Sequence, residues 1–261
     1  MIEEPYRWVE AIANRREYIE TQLASGSPIA AVGFCDGILF LTVGRARQKI
    51  FEIYDRIAMG AIGHPGDIER LRMAAIELAS TEGFTRSAAD VSLRRLAYYS
   101  LSPLMKTAFE QIFGAPYLAR MIFAELGPKP ADDLFLRVEY DGAIATNGST
   151  FAQVRQDFGV LAGSKESTEL MESFLKSEHS AGATFERAFR AALDAWSVGR
   201  MALGADGIKE LPAREQITTH RKTELAISSI DAALLERNMT AAIRYRSLSN
   251  DEIKSALGDG E

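Results

Sequence analysis

The chain has 261 residues, 47% of them hydrophobic and 25% charged, with a formal net charge of −6 and a single cysteine. These proportions fit a soluble, folded protein and exclude collagen-like or broadly disordered chains. The acidic balance argues against a nucleic-acid binder, because the densest basic stretch, Arg45-Ala-Arg47-Gln-Lys49, is short.

From the N-terminus, Trp8, Val9, Ile12, Ile19 and Leu23 follow a helical period over Tyr6–Leu23, and Ser25-Gly26-Ser27-Pro28 stops the helix. Two apolar runs, Ile29–Phe34 and Ile38–Val43, flank Cys35-Asp36-Gly37, a hairpin signal. Lys49–Ile53 and Ile57–Ile62 form a second strand pair around Tyr54-Asp55-Arg56. Two long helices are expected at Pro65–Thr81 and Ala88–Phe113. Strands then return at Leu118–Glu125, Leu134–Tyr140 and Gly142–Thr146, and Phe158–Ala162 adds a further one. Helices follow at Glu166–Lys176 and Thr184–Met201. Residues Gly204–His220 read as one long polar loop. Strands at Glu224–Ile230 and Ala241–Leu248 and a helix at Asp251–Leu257 complete the chain.

Hairpins alternating with helix pairs point to α+β layering, with two antiparallel sheets face to face and a helix pair outside each. A parallel doubly wound sheet would need crossover helices between its strands. Cys35 allows no intrachain disulfide and fits a reducing cytoplasm, as a structural thiol that is buried or at a turn edge. No apolar run reaches the ~18–20 residues of a membrane span. The start, Met1-Ile-Glu-Glu-Pro5, lacks the order of a secretion signal. The chain is expected in the cytoplasm, as one domain over residues 1–261.

No nucleophile elbow, phosphate-binding loop, zinc-hydrolase or dinucleotide motif is present. His64, His179 and His220 lie far apart and read as surface or helix-end residues, so no metal or cofactor is expected. Asp132-Asp133, after Pro130, reads as solvated turn residues. The residues alone define a soluble α+β protein without evident catalytic machinery.

The order of segments resembles the proteasome family across roughly residues 6 to 257. The matching pieces are Lys49-Ile-Phe-Glu-Ile53, Ala61-Ile-Gly63, Asp67-Ile-Glu-Arg70-Leu-Arg72 and Gly114-Ala-Pro116-Tyr117 with Met121-Ile-Phe-Ala124. Tyr140-Asp141-Gly142, Val160-Leu-Ala-Gly163-Ser164 and Leu225–Asp231 continue the likeness, which is nearest to bacterial α chains. The resemblance implies the four-layer αββα fold of N-terminal-nucleophile (Ntn) hydrolases. It also implies a non-catalytic subunit of a threonine protease complex, the proteasome, that acts in protein degradation. Such a subunit forms the outer heptameric ring, gates entry and docks a ring-shaped ATPase activator. Its partners would be other α subunits and the proteasome β subunits.

Active β subunits of that family expose an N-terminal threonine whose free amine serves as base. Counting back from the first hairpin, the resemblance puts Ser27 at the nucleophile position, Val43 at that of the acid and Lys49 at that of the lysine. Ser27 lies inside the chain behind a helix, and Val43 supplies no carboxylate, so no catalytic residue is expected. The resemblance instead assigns Lys49 to a pocket between subunits that receives an activator's C-terminal carboxylate, with Gly63 in its wall. The alternative, on spacing alone, is a solvent lysine at a strand edge. Residues 1–25 are expected to form a short gate segment and a ring-packing helix, without the longer Tyr-Asp-Arg arm of archaeal and eukaryotic chains. The alternatives are a divergent hydrolase that cleaves itself before Ser27, and a self-assembling bacterial relative that needs no β partner.

Overall fold

Two five-stranded antiparallel sheets stack face to face in the computed structural model, which describes residues 5–45, 48–111, 113–145, 157–204 and 206–258. One sheet has the order β10 (Tyr245–Ser247), β9 (Ser229–Glu236), β2 (Gly37–Gly44), β1 (Ile29–Phe34), β8 (Phe158–Leu161). The other runs β3 (Ile50–Tyr54), β4 (Ile57–Gly63), β5 (Ala119–Glu125), β6 (Leu134–Val138), β7 (Ile144–Ala145).

Strand parity creates the layers, because successive side chains leave a strand on opposite faces. Ile29 and Ala31 of β1 and Ile38 and Phe40 of β2 meet Ala58, Ile62, Ile122 and Ala124 in an apolar seam between the sheets. Ala30, Val32, Leu39, Leu41 and Val43 face the other way, against α5 (Lys165–Glu178), α6 (Phe185–Met201), α7 (Arg214–Leu225) and α8 (Asn250–Leu257). Met59, Ala61, Met121 and Phe123 likewise meet α1 (Pro5–Leu23), α2 (Pro65–Thr85), α3 (Leu93–Leu96) and α4 (Ser102–Glu110). Both faces of the central strands are therefore covered, which gives the αββα sandwich.

Several elements depart from the sequence expectation. The helix expected over Ala88–Phe113 is broken. Ser87 Oγ accepts from the Ala89 amide at one short turn, and Ser92 Oγ accepts from Arg95 to start α3. These are capping serines that restart the backbone. A wide π turn at Ala97–Leu101 then joins α3 to α4, with the Ser102 amide bonded to the Ala97 carbonyl, just before Pro103, which has no amide to give. The last seven residues of the expected loop Gly204–His220 are helix, since α7 begins at Arg214 and replaces the start of the strand expected at Glu224–Ile230. Ile217, Arg221 and Leu225 form its inward stripe, and Pro212 with the Gln216 side chain on the Ala213 amide marks its start. β9 consequently begins later and runs longer than expected.

Trp8 and Val9 are exposed, so only Ile12, Ile19 and Leu23 dock α1 on the core. Asp133 is no solvated turn residue: its side chain is 2% exposed and pairs with Arg237 at 2.8 Å while accepting from the Gly127 amide at 2.9 Å. Gly37 opens β2 directly after the two-residue turn Cys35–Asp36. Its need is close approach, since a Cβ there would lie 2.1 Å from the Leu235 carbonyl of β9. Cys35 is exposed, at the turn edge. Met1–Glu4, Ala46, Arg47, Ile112 and Thr146, named in the sequence expectations, lie outside the described residues.

Arg120, 7% exposed on β5, ties these layers together. Its guanidinium contacts Glu20 of α1 and Glu139 beyond β6, the latter at 2.8 Å, and donates to the Gly163 carbonyl at 2.8 Å. Tyr140 donates to the other Glu20 oxygen at 2.7 Å, and Arg137 continues from Glu139 to Glu172 of α5. Removing one member of a buried ionic network leaves its partners uncompensated, at about 3–5 kcal/mol. R120A is therefore expected to lose about that much stability in urea unfolding, well above the ~1 kcal/mol typical of a point substitution.

Candidate functional site

Ser27, Val43 and Lys49 come together at one end of the seam between the sheets. β1 starts there, β2 ends there, and the Lys49 carbonyl accepts from the Ala61 amide at 3.0 Å as β3 is about to pair with β4. A cavity of about 350 Å³ opens at this point, lined by Thr42, Gly44, Gln48, Lys49, Ser229, Asp231 and Ser247. Parity explains the wall. Thr42 and Gly44 continue the seam-facing row of Ile38 and Phe40, while Ser229 and Asp231 continue that of Ala233 and Leu235.

The Ser27 hydroxyl is engaged twice. It donates to the Val43 carbonyl at 2.7 Å and accepts from the Trp196 indole at 3.1 Å. Val43, 2% exposed, points away from the cavity into the helix-side core. Lys49 is half-buried, and Asp231 Oδ2 accepts from its backbone amide at 3.0 Å. Burial, with the nearby Arg200 guanidinium adding to it, lowers the Lys49 pKa to about 8, while Asp231 partly opposes the fall. Burial raises the Asp231 pKa, against the pull of Lys49. The site can thus hold an ammonium and a carboxylate side by side, in a polar cavity half open to water.

Gly63 stands at the same end of β4 but outside the cavity wall. Its φ of +135° and a Leu118 carbonyl 2.0 Å from where a Cβ would sit already require glycine. His64 and His179 flank helix ends, as expected, whereas His220 lies within α7, with Nδ1 2.6 Å from the Ser197 hydroxyl. No group of three potential ligands able to hold a metal occurs among the described residues. Sequence reasoning missed Asp231, Arg200, Ser229 and Ser247. The available signal for Asp231 was one acid inside the apolar run Ile230-Asp-Ala-Ala-Leu-Leu235.

The chain is similar to α subunits of the proteasome from actinobacteria. It is 32% identical over 186 residues to the one from a Nocardioides species, covering 70% of this chain and 68% of the relative. The one from a Parafrankia species is 30% identical over 213 residues, covering 78% and 80%. The Streptomyces avermitilis subunit is 27% identical over 250 residues, covering 95% of this chain and 87% of its own. The chain belongs to the proteasome α-subunit family. No family model matches it. The two-sheet sandwich with flanking helices is the arrangement that this membership leads one to expect.

Two predictions follow from the geometry. S27A strands the Trp196 indole and the Val43 carbonyl, so it should cost about 1–3 kcal/mol of stability in a denaturant titration. The Lys49 pKa of about 8 in the folded state lies below the ordinary lysine value of ~10.4. The folded state therefore carries the full cost of a buried charge below about pH 8. As pH rises from about 8 to ~10.4 the folded chain has released a proton that the unfolded chain retains, and that cost disappears. K49M should consequently be about 1–3 kcal/mol more stable than wild type near neutrality, with the gap closing toward about pH 10. Unfolding curves of both proteins across that range check it.

Proposed function

We propose that this chain is a non-catalytic α subunit of a 20S proteasome core particle, building the heptameric outer ring, gating entry and docking an activating ATPase. The observation that carries the reading is the 30–32% identity to proteasome α subunits over most of both chains. The engaged, internal Ser27 hydroxyl agrees with it, because a nucleophile of this class needs a free amine beside a free hydroxyl. The same two bonds weigh against a hydrolase that cleaves itself before Ser27.

Ring packing has a candidate surface in α1. Ile19 and Leu23 anchor the helix, while Trp8, Val9 and Tyr18 remain exposed on it. Docking has one in the Lys49 cavity, where a C-terminal carboxylate entering from outside would meet an ammonium. Gly63, exposed at the exit of β4, leaves the adjoining surface free of a side chain. Hydrolysis then belongs to β subunits, and the cytoplasm is the expected compartment.

Co-expression with the β subunit of the same genome tests the core of this reading. Intact chain beginning at Met1, no peptidase activity alone, and a barrel-sized active particle in the mixture are expected. Peptidase activity from this chain alone, with cleavage after Gly26, would establish the Ser27 hydrolase instead. In the assembled particle K49A should abolish activator-stimulated degradation of folded substrates and leave small-peptide hydrolysis intact. Unchanged stimulation removes Lys49 from the docking site.

A further inference from the structure

The cavity beside Lys49 already contains a carboxylate. Asp231 lies on β9 opposite Thr42, on the row of side chains that faces the seam. Its Oδ2 accepts from the Lys49 amide at 3.0 Å, which pins the carboxylate to the residue that carries the ammonium. Among the described residues no carboxylate reaches ion-pair distance of the Lys49 ammonium itself.

The neutral groups of the wall are largely committed elsewhere. Thr42 Oγ1 donates to the Pro28 carbonyl at 2.6 Å, Ser229 Oγ to Gly44 at 3.2 Å, and Gln48 Nε2 to Ile50 at 2.8 Å. Tyr245, on the seam side of β10, also donates to Ile50, at 3.1 Å. What remains for a ligand is mainly one ammonium and one carboxylate. Opposite charges in a partly buried site attract far more strongly than in bulk water. An entering carboxylate therefore meets a cation that has an anion beside it.

We propose that Asp231 is the internal counter-ion of Lys49, keeping its ammonium charged in the cavity and competing with any carboxylate that enters. The competition rests on the docking reading above; the pairing does not. Other charged groups bear on the pair from each side. Arg200 of α6 works against the Lys49 charge. Tyr245 of β10 feels Asp231 and, from β3, Glu52. Among the described residues, Asp231 is the anion whose field favours the charged form of Lys49.

D231N keeps an oxygen for the Lys49 amide and removes the charge. In the full-length chain, the reactivity of Lys49 toward acetic anhydride is followed against pH by mass spectrometry. Its midpoint, expected near 8 in the wild type, should be lower in D231N. An unmoved midpoint overturns the pairing. In unmutated protein, the carboxyl carbon resonance of Asp231 should inflect where Lys49 titrates, and a flat trace overturns it equally, so the test does not depend on how well D231N folds. A short labelled peptide with a free C-terminal carboxylate, and its amidated twin, then probe the competition at about pH 6.5, where Lys49 is protonated. D231N should bind the free acid about fivefold more tightly than wild type does, with the amide unaffected. Equal or weaker binding of the acid by D231N overturns the competition. Coupled titrations with no carboxylate-dependent binding by either protein would sink the docking reading and leave the counter-ion role supported.

Discussion

A buried guanidinium must find acceptors for several donors at once, and Arg120 finds them in three separate segments of the chain. Glu20 comes from α1, Glu139 from beyond β6, and the Ala162 and Gly163 carbonyls from the turn between β8 and α5. One side chain thus joins both sheets and the first helix. The end of α1 has little freedom once this is satisfied, because both Glu20 oxygens are used. The Leu23 and Ala24 carbonyls pass close to Gly163, where a Cβ would sit 2.5 Å from each. The chain leaves that crossing straight into Ser27, so the Arg120 network also fixes where Ser27 enters the sandwich.

The same placement supports the proposed non-catalytic role by more than a missing acid. Val43 belongs to the row of Leu39 and Leu41, packed on the helix layer, while the cavity is lined by the opposite row, Thr42 and Gly44. A carboxylate at 43 would enter an apolar core, where an isolated charge is strongly disfavoured. The anion that does face Lys49 comes from β9 instead, across the β2–β9 pairing. Ser27 is meanwhile held by Trp196 of α6, which stacks near His220 of α7. The helices over this end are tied to the hydroxyl, not to a vacant substrate position.

Much of the sandwich was legible because parity and turn residues are local. The hairpins β1–β2 and β3–β4, the turn at Tyr140–Gly142 and the helices α5 and α6 stand close to their expected positions. The misses have physical causes. α7 is mostly polar, and its inward stripe includes a buried arginine, Arg221, paired with Asp194, which a hydrophobic period cannot register. Overlooking it displaced the following strand and hid Asp231 at its edge. Asp133 was misjudged for a related reason, since its partner Arg237 is over a hundred positions away. Lys49 was locatable through its place before β3, but its surroundings depend on β9 and α6, which sequence distance conceals.

Holding an ammonium half-buried opposes folding unless a partner compensates, and here the compensation is incomplete. Burial and Arg200 together outweigh Asp231 in setting the Lys49 pKa. A chain selected for stability alone would gain by an apolar residue at this position, since well-packed apolar groups often match or exceed buried charges in stability. The sandwich does not need the lysine to close, because β3 is held by the Ala61 amide and Asp231 through the Lys49 backbone. The backbone contacts thus account for the path of the chain, and the side chain is left with a charge exposed to a cavity. Groups that oppose stability are commonly tied to function, where activity has a cost in stability. That argument, independent of any likeness to other chains, supports the proposal that Lys49 carries the interaction chemistry of this subunit.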